Sequence, residues 1–347
     1  MPQKRIENAR RILVVRQHDQ LGDMLVAVPL LRALRKKFPA SLIAVVARPK
    51  NAAPLRHHPY IDRLFVFDKK RFWSAPAELR GFFLGVRDFE PDVAIVPFTN
   101  SFSTTSSLIA FASGAPVRIG VRRIGAERNA LSGLCTHTVD LDWSADPHRH
   151  QTLRNLDAAG SLALSTDDLR HEIGFSAEEL ESGRRAAEEI RSGRPSLVGL
   201  HVGGKATNRW PAERFAAVAD RLRDELGAGV FLTSGPVDSG PVARFLAASR
   251  ERPALVHGLP LRPVAAIIHH ASLYLTNDTG MMHVAASTGC PTLSLFGPTD
   301  PLQWAPLGDS HRYLLSPSGT MSDLSLDDVF EAAGEMLRVR RDPTVAS

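Results

Sequence analysis

The apolar positions of the chain change period repeatedly along its length. Ile12-Leu13-Val14-Val15 is a short unbroken apolar run, as expected of a strand buried on both faces. A glycine-containing turn follows, then apolar residues at helical spacing, Leu25, Val28, Leu31, Leu34 and Phe38, closed by Pro39. Similar runs predict strands at 42–46, 64–67, 93–96 and 117–120. From about Cys135 to Arg170 the chain is polar and irregular, and then the alternation restarts. Strands are predicted at 197–201, 230–233, 254–256, 272–276 and 292–296, with helices at 212–226 and 242–249 and a short helix between the last two strands. The tail from Leu326 to Arg341 has an amphipathic helical pattern. Strands alternating with helices predict βαβ units and mostly parallel sheets.

The expected fold class is therefore α/β, with two open twisted sheets and a boundary between residues 150 and 190. A length of 347 residues agrees, at roughly 100–200 residues per domain. No residue-level repeat relates the halves. Open parallel sheets bind ligands beyond the carboxyl ends of their strands. Two such sheets are expected to face each other across a cleft, with the informative residues in the loops just after strands.

Composition narrows the function classes. Apolar residues make up 44% and charged residues 23%, which excludes a disordered chain. No apolar run approaches the ~20 residues that cross a bilayer. The basic start leads into a short strand and not a long signal core, so a cytoplasmic protein is expected. Two cysteines, Cys135 and Cys290, cannot build a disulfide framework or a cysteine-rich metal cluster. Lys and Arg number 42 against 37 Asp and Glu, a net +5 spread along the chain. This is either a plain solvated surface or one that meets anionic partners such as phosphorylated glycolipid headgroups. With 7% aromatics and no recognised motif, nucleic acid is not an expected partner.

Two loops after strands carry candidate chemistry. In Gln17-His18-Asp19-Gln20-Leu21-Gly22-Asp23, Gly22 permits a tight turn and Asp23 sits near a helix N-terminus. Asp23 either caps that helix or acts as a general base facing the cleft. In Thr276-Asn277-Asp278-Thr279-Gly280-Met281-Met282-His283, Asp278 or Thr279 caps a helix whose N–H groups make a ready phosphate site. His283 lies one turn further on, either as a structural group or near the same opening. Gly199-Leu200-His201-Val202-Gly203-Gly204-Lys205-Ala206 imitates a nucleotide-triphosphate loop but ends in Ala, without the hydroxyl that would hold Mg²⁺. What remains is a glycine turn with Lys205 and Arg209, either solvated cations or the partners of a phosphate. The histidine pairs His57-His58, His148/His150 and His269-His270 lack accompanying carboxylates or cysteines, so no metal site is expected. Neither a Gly-x-Ser-x-Gly elbow nor a dinucleotide fingerprint is present.

Several segments, in order, resemble glycosyltransferase family 9, the ADP-heptose:lipopolysaccharide heptosyltransferases. Arg11 to Val15 with Leu21-Gly22-Asp23 and the helix through Pro29 is similar to the family's opening. Asn100-Ser101-Phe102 with Gly114 to Gly120 resembles its acceptor-side segment. Arg209-Trp210-Pro211-Ala212-Glu213-Arg214-Phe215 resembles its second-domain hallmark. Asn277-Asp278-Thr279-Gly280 with His283, then Leu295 to Pro301, is similar to its nucleotide-sugar signature. The matches span residues 11 to about 306.

The resemblance implies a GT-B architecture, two Rossmann-like domains with the active site between them. It implies an acceptor-binding domain over 1–165, a nucleotide-sugar domain over 166–325, and a final helix, 326–347, packing back on the first domain. The implied reaction is an inverting transfer from an ADP-sugar, usually ADP-L-glycero-D-manno-heptose, to the lipid A–core oligosaccharide, with Asp23 as general base and no required cofactor. Lys205, Arg209, Asp238, Leu259, Asp278, Thr279, Gly280 and His283 would hold the donor, with Asp238 on its ribose. Gly22, Asn100, Arg118 and Arg122 would face the acceptor. An anionic glycolipid acceptor also implies contact with the cytoplasmic face of the inner membrane. Two positions depart from the family pattern. Asn208 stands where members often have Lys, and Gln17, beside Arg16, where they often have a basic residue. The phosphate-binding cation then falls to Lys205 or Arg209. Two other readings compete: a GT-B sugar-nucleotide epimerase, which needs further carboxylates in the donor cleft, and a degenerate nucleotide-sugar-binding protein, to which Asn208 alone points.

Overall fold

The computed structural model describes residues 6–17, 20–71 and 74–341. The chain divides into two compact units, Met1–Leu169 and Arg170–Ser347.

The first unit is built on strands β1 (Arg11–Arg16), β2 (Leu42–Ala47), β3 (Arg63–Val66), β4 (Val93–Val96), β5 (Val117–Ile124), β6 (Glu127–Arg128) and β7 (His137–Leu141). The order is β3-β2-β1-β4-β5, with β7 parallel to β5 and the two-residue β6 antiparallel to it. The unbroken apolar run of β1 is explained by burial on both faces. Ile12 and Val14 point into one core with Leu30, Leu34 and Val45. Leu13 and Val15 point into the other with Val46, Phe89 and Val96. The first helical pattern is split in two, Leu21–Leu25 and Val28–Lys37. Pro29 opens the second piece, where a missing N–H costs nothing.

The second unit holds β8 (Leu197–His201), β9 (Gly229–Ser234), β10 (Ala254–His257), β11 (Leu273–Asn277), β12 (Thr292–Phe296) and β13 (His311–Leu315), all parallel, in the order β10-β9-β8-β11-β12-β13. This is the Rossmann order, whose switch point falls between β8 and β11, as it does between β1 and β4 in the first unit. Val198, Leu200, Leu275 and Leu293 pack under Phe215, Val218 and Leu222 of helix Ala212–Leu226. The terminal helix, Leu326–Arg341, buries Val329, Phe330, Ala333 and Leu337 in that same core. Four residues of its apolar face are thus taken up within the second unit. Arg221 pairs with Asp327 at 2.7 Å and lies over the Phe330 ring at 3.8 Å.

The stretch from Cys135 to Arg170 is less irregular than its polarity suggested. It contains β7 and the helix Gln151–Asp157. Among the described residues no helix is long and apolar enough to cross a membrane.

Candidate active site

At the second unit's switch point, Asn277 ends β11 fully buried. Its Nδ2 donates to the Gly203 carbonyl (2.9 Å), and its Oδ1 accepts from the Trp210 backbone N–H (2.9 Å). One amide thus ties the glycine loop after β8 to the Arg-Trp-Pro segment. Trp210, 1% exposed, donates its indole N–H to the Leu324 carbonyl (3.1 Å) and stacks edge-on against Phe215. Arg214 donates to the same carbonyl at 2.8 Å. Trp210, Arg214 and Phe215 therefore fix the fold, while the loop before them carries two cations nearer the surface. Lys205 is exposed and Arg209 half-buried. Arg209 also lines a pocket of 270 Å³ with Trp210, Glu213 and Arg244.

Asn208 is buried and acts as a hub. Its Nδ2 donates to Asp278 Oδ2 and to Thr299 Oγ1, both at 2.8 Å, while its Oδ1 accepts from Thr207 Oγ1 at 2.8 Å. Burial pushes the Asp278 carboxyl above the usual range, against the hydrogen bonds from Thr299 and Asn208 and the charge of Lys205.

Between the two alternatives for the helix cap, Thr279 fills the position. Its Oγ1 accepts from Met281 N–H at 3.2 Å, at the start of helix Gly280–Ser287. The first turn of a helix presents N–H groups and partial positive charge to an anion. Against this tip lies the glycine loop. A Cβ at Gly204 (φ +119°) would come within 2.6 Å of Thr279 Cγ2, and one at Gly203 within 2.2 Å of Asp238 Oδ1. Only bare backbone fits at either place.

His283 lies one turn into the helix, buried between the rings of His171 (5.8 Å) and Trp304 (6.2 Å). Asp238 is buried and accepts from the Gly235 N–H at 2.7 Å, which commits one carboxylate oxygen to its own turn. Leu259 follows β10, two strands away from β8, and lines an open groove with Ile190, Leu255 and Ile267.

In the first unit, buried Arg16 gathers the segments leaving the switch point. It donates to the carbonyls of Pro97 (3.3 Å) and Asp23 (3.3 Å) and to the side-chain oxygen of Asn155. The adjacent Gln17 N–H donates to Ser106 Oγ at 3.0 Å. His18 and Asp19 lie outside the described residues. Asp23 is half-buried, and its Oδ2 accepts from the Gln20 N–H at 3.0 Å, so it does cap the helix Leu21–Leu25. Gly22 is buried within that helix. Asn100 is exposed just beyond the end of β4.

The two arginines of the acceptor-side expectation are engaged elsewhere. Arg118 is the second residue of β5, at the edge opposite the ligand-binding one, and donates to the carbonyls of Leu134 and Ala115, each at 2.6 Å. Its fork is a structural clamp. Arg122, nearer the carboxyl end, makes two exposed hydrogen bonds to Asp140 (2.9 and 2.7 Å) that raise its own pKa and lower that of the carboxylate. Sequence reasoning did not single out Asn277 or His201. A buried polar residue ending an apolar strand was the available signal.

The family model described as glycosyltransferase family 9 (heptosyltransferase) matches residues 90–333. Lipopolysaccharide heptosyltransferase 1 of Pseudomonas aeruginosa is 27% identical over 297 residues, 84% of this chain and 79% of that protein. Lipopolysaccharide heptosyltransferase 2 of Escherichia coli K12 is 27% identical over 305 residues, 85% of each. A glycosyl transferase family 9 crystal structure from Veillonella parvula is 26% identical, with a TM-score of 0.81, over 94% of this chain and 97% of that one.

Proposed function

The chain belongs to glycosyltransferase family 9, and from that premise we propose that it moves a heptose from ADP-heptose to the core oligosaccharide of lipopolysaccharide, with inversion at the anomeric carbon. The observation that carries this reading is the bare glycine loop at Gly203-Gly204 pressed against the helix tip at Thr279. That arrangement offers backbone N–H groups to a diphosphate, with Lys205 and Arg209 close by in sequence.

Asp23 takes the proton from the acceptor hydroxyl as its oxygen forms a bond to the anomeric carbon. The bond from that carbon to the diphosphate oxygen breaks, and its electron pair leaves with ADP. The first-turn N–H groups at Thr279 and Gly280, with Lys205 and Arg209, meet the charge that develops on the leaving group. Asp278 lies beside this site with a raised proton affinity, suited to a hydrogen bond with a sugar hydroxyl. The first unit serves the acceptor and the second the donor. The acceptor is an anionic glycolipid, so the enzyme works at the cytoplasmic face of the inner membrane without spanning it. Of the acceptor-side residues, Asn100 and the Gly22-Asp23 turn remain in the proposal, and Arg118 does not.

The test is incubation of the full chain with ADP-heptose and heptose-free lipid A–core. ADP release that depends on the acceptor, with an inverted product linkage, supports the reading. Conversion of ADP-heptose without acceptor would replace it with an epimerase, and binding of ADP-heptose without turnover would leave only a binding protein.

A further inference from the structure

Beneath the glycine loop lies an ionisable pair that the proposed reaction does not use. His201 ends β8 at 5% exposure, and its Nδ1 is 3.1 Å from the Thr233 carbonyl of β9. A carbonyl only accepts, so Nδ1 carries a hydrogen, and the neutral ring presents Nε2 as a lone pair. That atom and Asp238 Oδ1 converge on one point of the loop: a Cβ at Gly203 would lie 2.7 Å from the first and 2.2 Å from the second. Two acceptors aimed at the same place repel. A proton on Nε2 turns that repulsion into attraction between opposite charges.

Burial opposes that proton and pushes the imidazole below its ordinary value, against the pull of Asp238 and of the Thr233 carbonyl. From β11, the Tyr274 hydroxyl reaches the site through Thr233 Oγ1 at 2.5 Å. Burial raises the tyrosine's own pKa, so it stays neutral. Asp238, from the loop after β9, is thus the one charge among the described residues that bears on the ring. A ring balanced in this way responds to any further negative charge brought to the loop above it.

We propose that His201 is a positioning residue for the donor: its imidazole takes up a proton as a diphosphate settles on the Gly203–Lys205 loop, and the imidazolium then pairs with Asp238 to hold that loop against Thr279. The inference rests on the donor site proposed above. Its sign is fixed by linkage. The diphosphate raises the pKa of the ring, so affinity is highest below the free-state value. Affinity then falls with rising pH up to the bound-state value, at a limiting slope of about tenfold per pH unit for one proton. Asp278 also faces the site and binds protons in the same sense, so the measurement must remove His201 alone.

The experiment is titration calorimetry of the full chain with ADP, in buffers of different ionisation heat, for wild type and His201→Asn. Asn keeps an amide donor for the Thr233 carbonyl and does not ionise. The ionisation of ADP itself is common to both proteins and cancels in the difference. The expected result is that the variant takes up fewer protons on binding and loses the wild type's gain in affinity as pH is lowered. An unchanged proton count with intact ADP binding overturns this inference and leaves the donor site standing. A wild type that does not bind ADP overturns both. Should His201→Asn fail to fold, Asp238→Asn serves instead: the pH at which affinity falls must move downward, and an unmoved profile overturns the pairing.

Discussion

The side-chain amide of Asn208 donates to the carboxylate of Asp278 across 2.8 Å, joining the loop after β8 to the loop after β11. A neutral amide satisfies the carboxylate without neutralising it, and burial then leaves the native acid with a proton affinity above the ordinary range. The folded state therefore binds this proton more tightly than the unfolded chain. Stability contributed by Asp278 falls as pH rises from the usual carboxylate range through the raised native value, and is flat above it. Asp278→Asn removes that decline. Urea midpoints of wild type and variant are expected to shift in the variant's favour between about pH 4 and neutrality, whereas parallel curves would contradict the assignment.

Asp23→Ala separates capping from catalysis. Losing the Gln20 N–H bond removes one cap of a short helix, worth about 1 kcal/mol. Losing a general base lowers kcat about 10²- to 10⁴-fold. The variant should therefore stay folded and bind ADP as wild type does while transfer collapses. Steady-state kinetics beside ADP titration checks this, and substantial remaining turnover would make Asp23 a cap and nothing more.

Gly203→Ala tests the closeness of the loop. The new methyl would sit 2.2 Å from Asp238 Oδ1, so either the carboxylate or the loop must move. An overpacked buried site costs about 1–3 kcal/mol, and ADP affinity is expected to fall by at least about tenfold. Gly240→Ala, in the same unit, has nothing within 4 Å of its Cβ and begins a helix, so it should leave ADP binding unchanged.

Strands buried on both faces were legible in the sequence, and so were the more exposed β3 and β10, because Leu64-Phe65-Val66-Phe67 and Ala254-Leu255-Val256 are still unbroken apolar runs. β1, β2, β4, β8, β11 and β12 read as continuous apolar runs because alternate residues enter two different cores. β7 and β13 were missed for the opposite reason. His137-Thr138-Val139-Asp140-Leu141 and His311-Arg312-Tyr313-Leu314-Leu315 are half-exposed and carry polar residues at strand positions. The site loops were legible through Gly204, Thr279 and Asp23, whose residue types suit turns and helix starts. The acceptor-side role of Arg118 came from the family resemblance alone, and the two carbonyls that its guanidinium clamps, those of Ala115 and Leu134, were not legible in the sequence. Asn277 stayed hidden because its two partners, Gly203 and Trp210, lie more than 60 residues earlier in the chain.

Arg16 offers a test of how the Asp23 turn is supported. The guanidinium is 3% exposed and spreads its donors over Pro97, Asn155 and the Asp23 carbonyl, so one side chain links the exits of β1 and β4 with two helices. A lysine keeps the charge but concentrates it on one nitrogen and cannot serve partners set apart like the arms of a fork. Arg16→Lys therefore leaves at least one buried carbonyl unsatisfied, at about 1–3 kcal/mol, and releases the peptide of Asp23 from its anchor. Because a base must sit within hydrogen-bond reach of the proton it takes, kcat should fall while ADP affinity, carried by the other unit, does not change. Arg122→Lys is the matching control, since its pair with Asp140 is exposed and solvent-screened, and its thermal midpoint should stay at the wild-type value. Equal behaviour of the two variants in denaturation and turnover would show that the Asp23 turn holds its shape without Arg16.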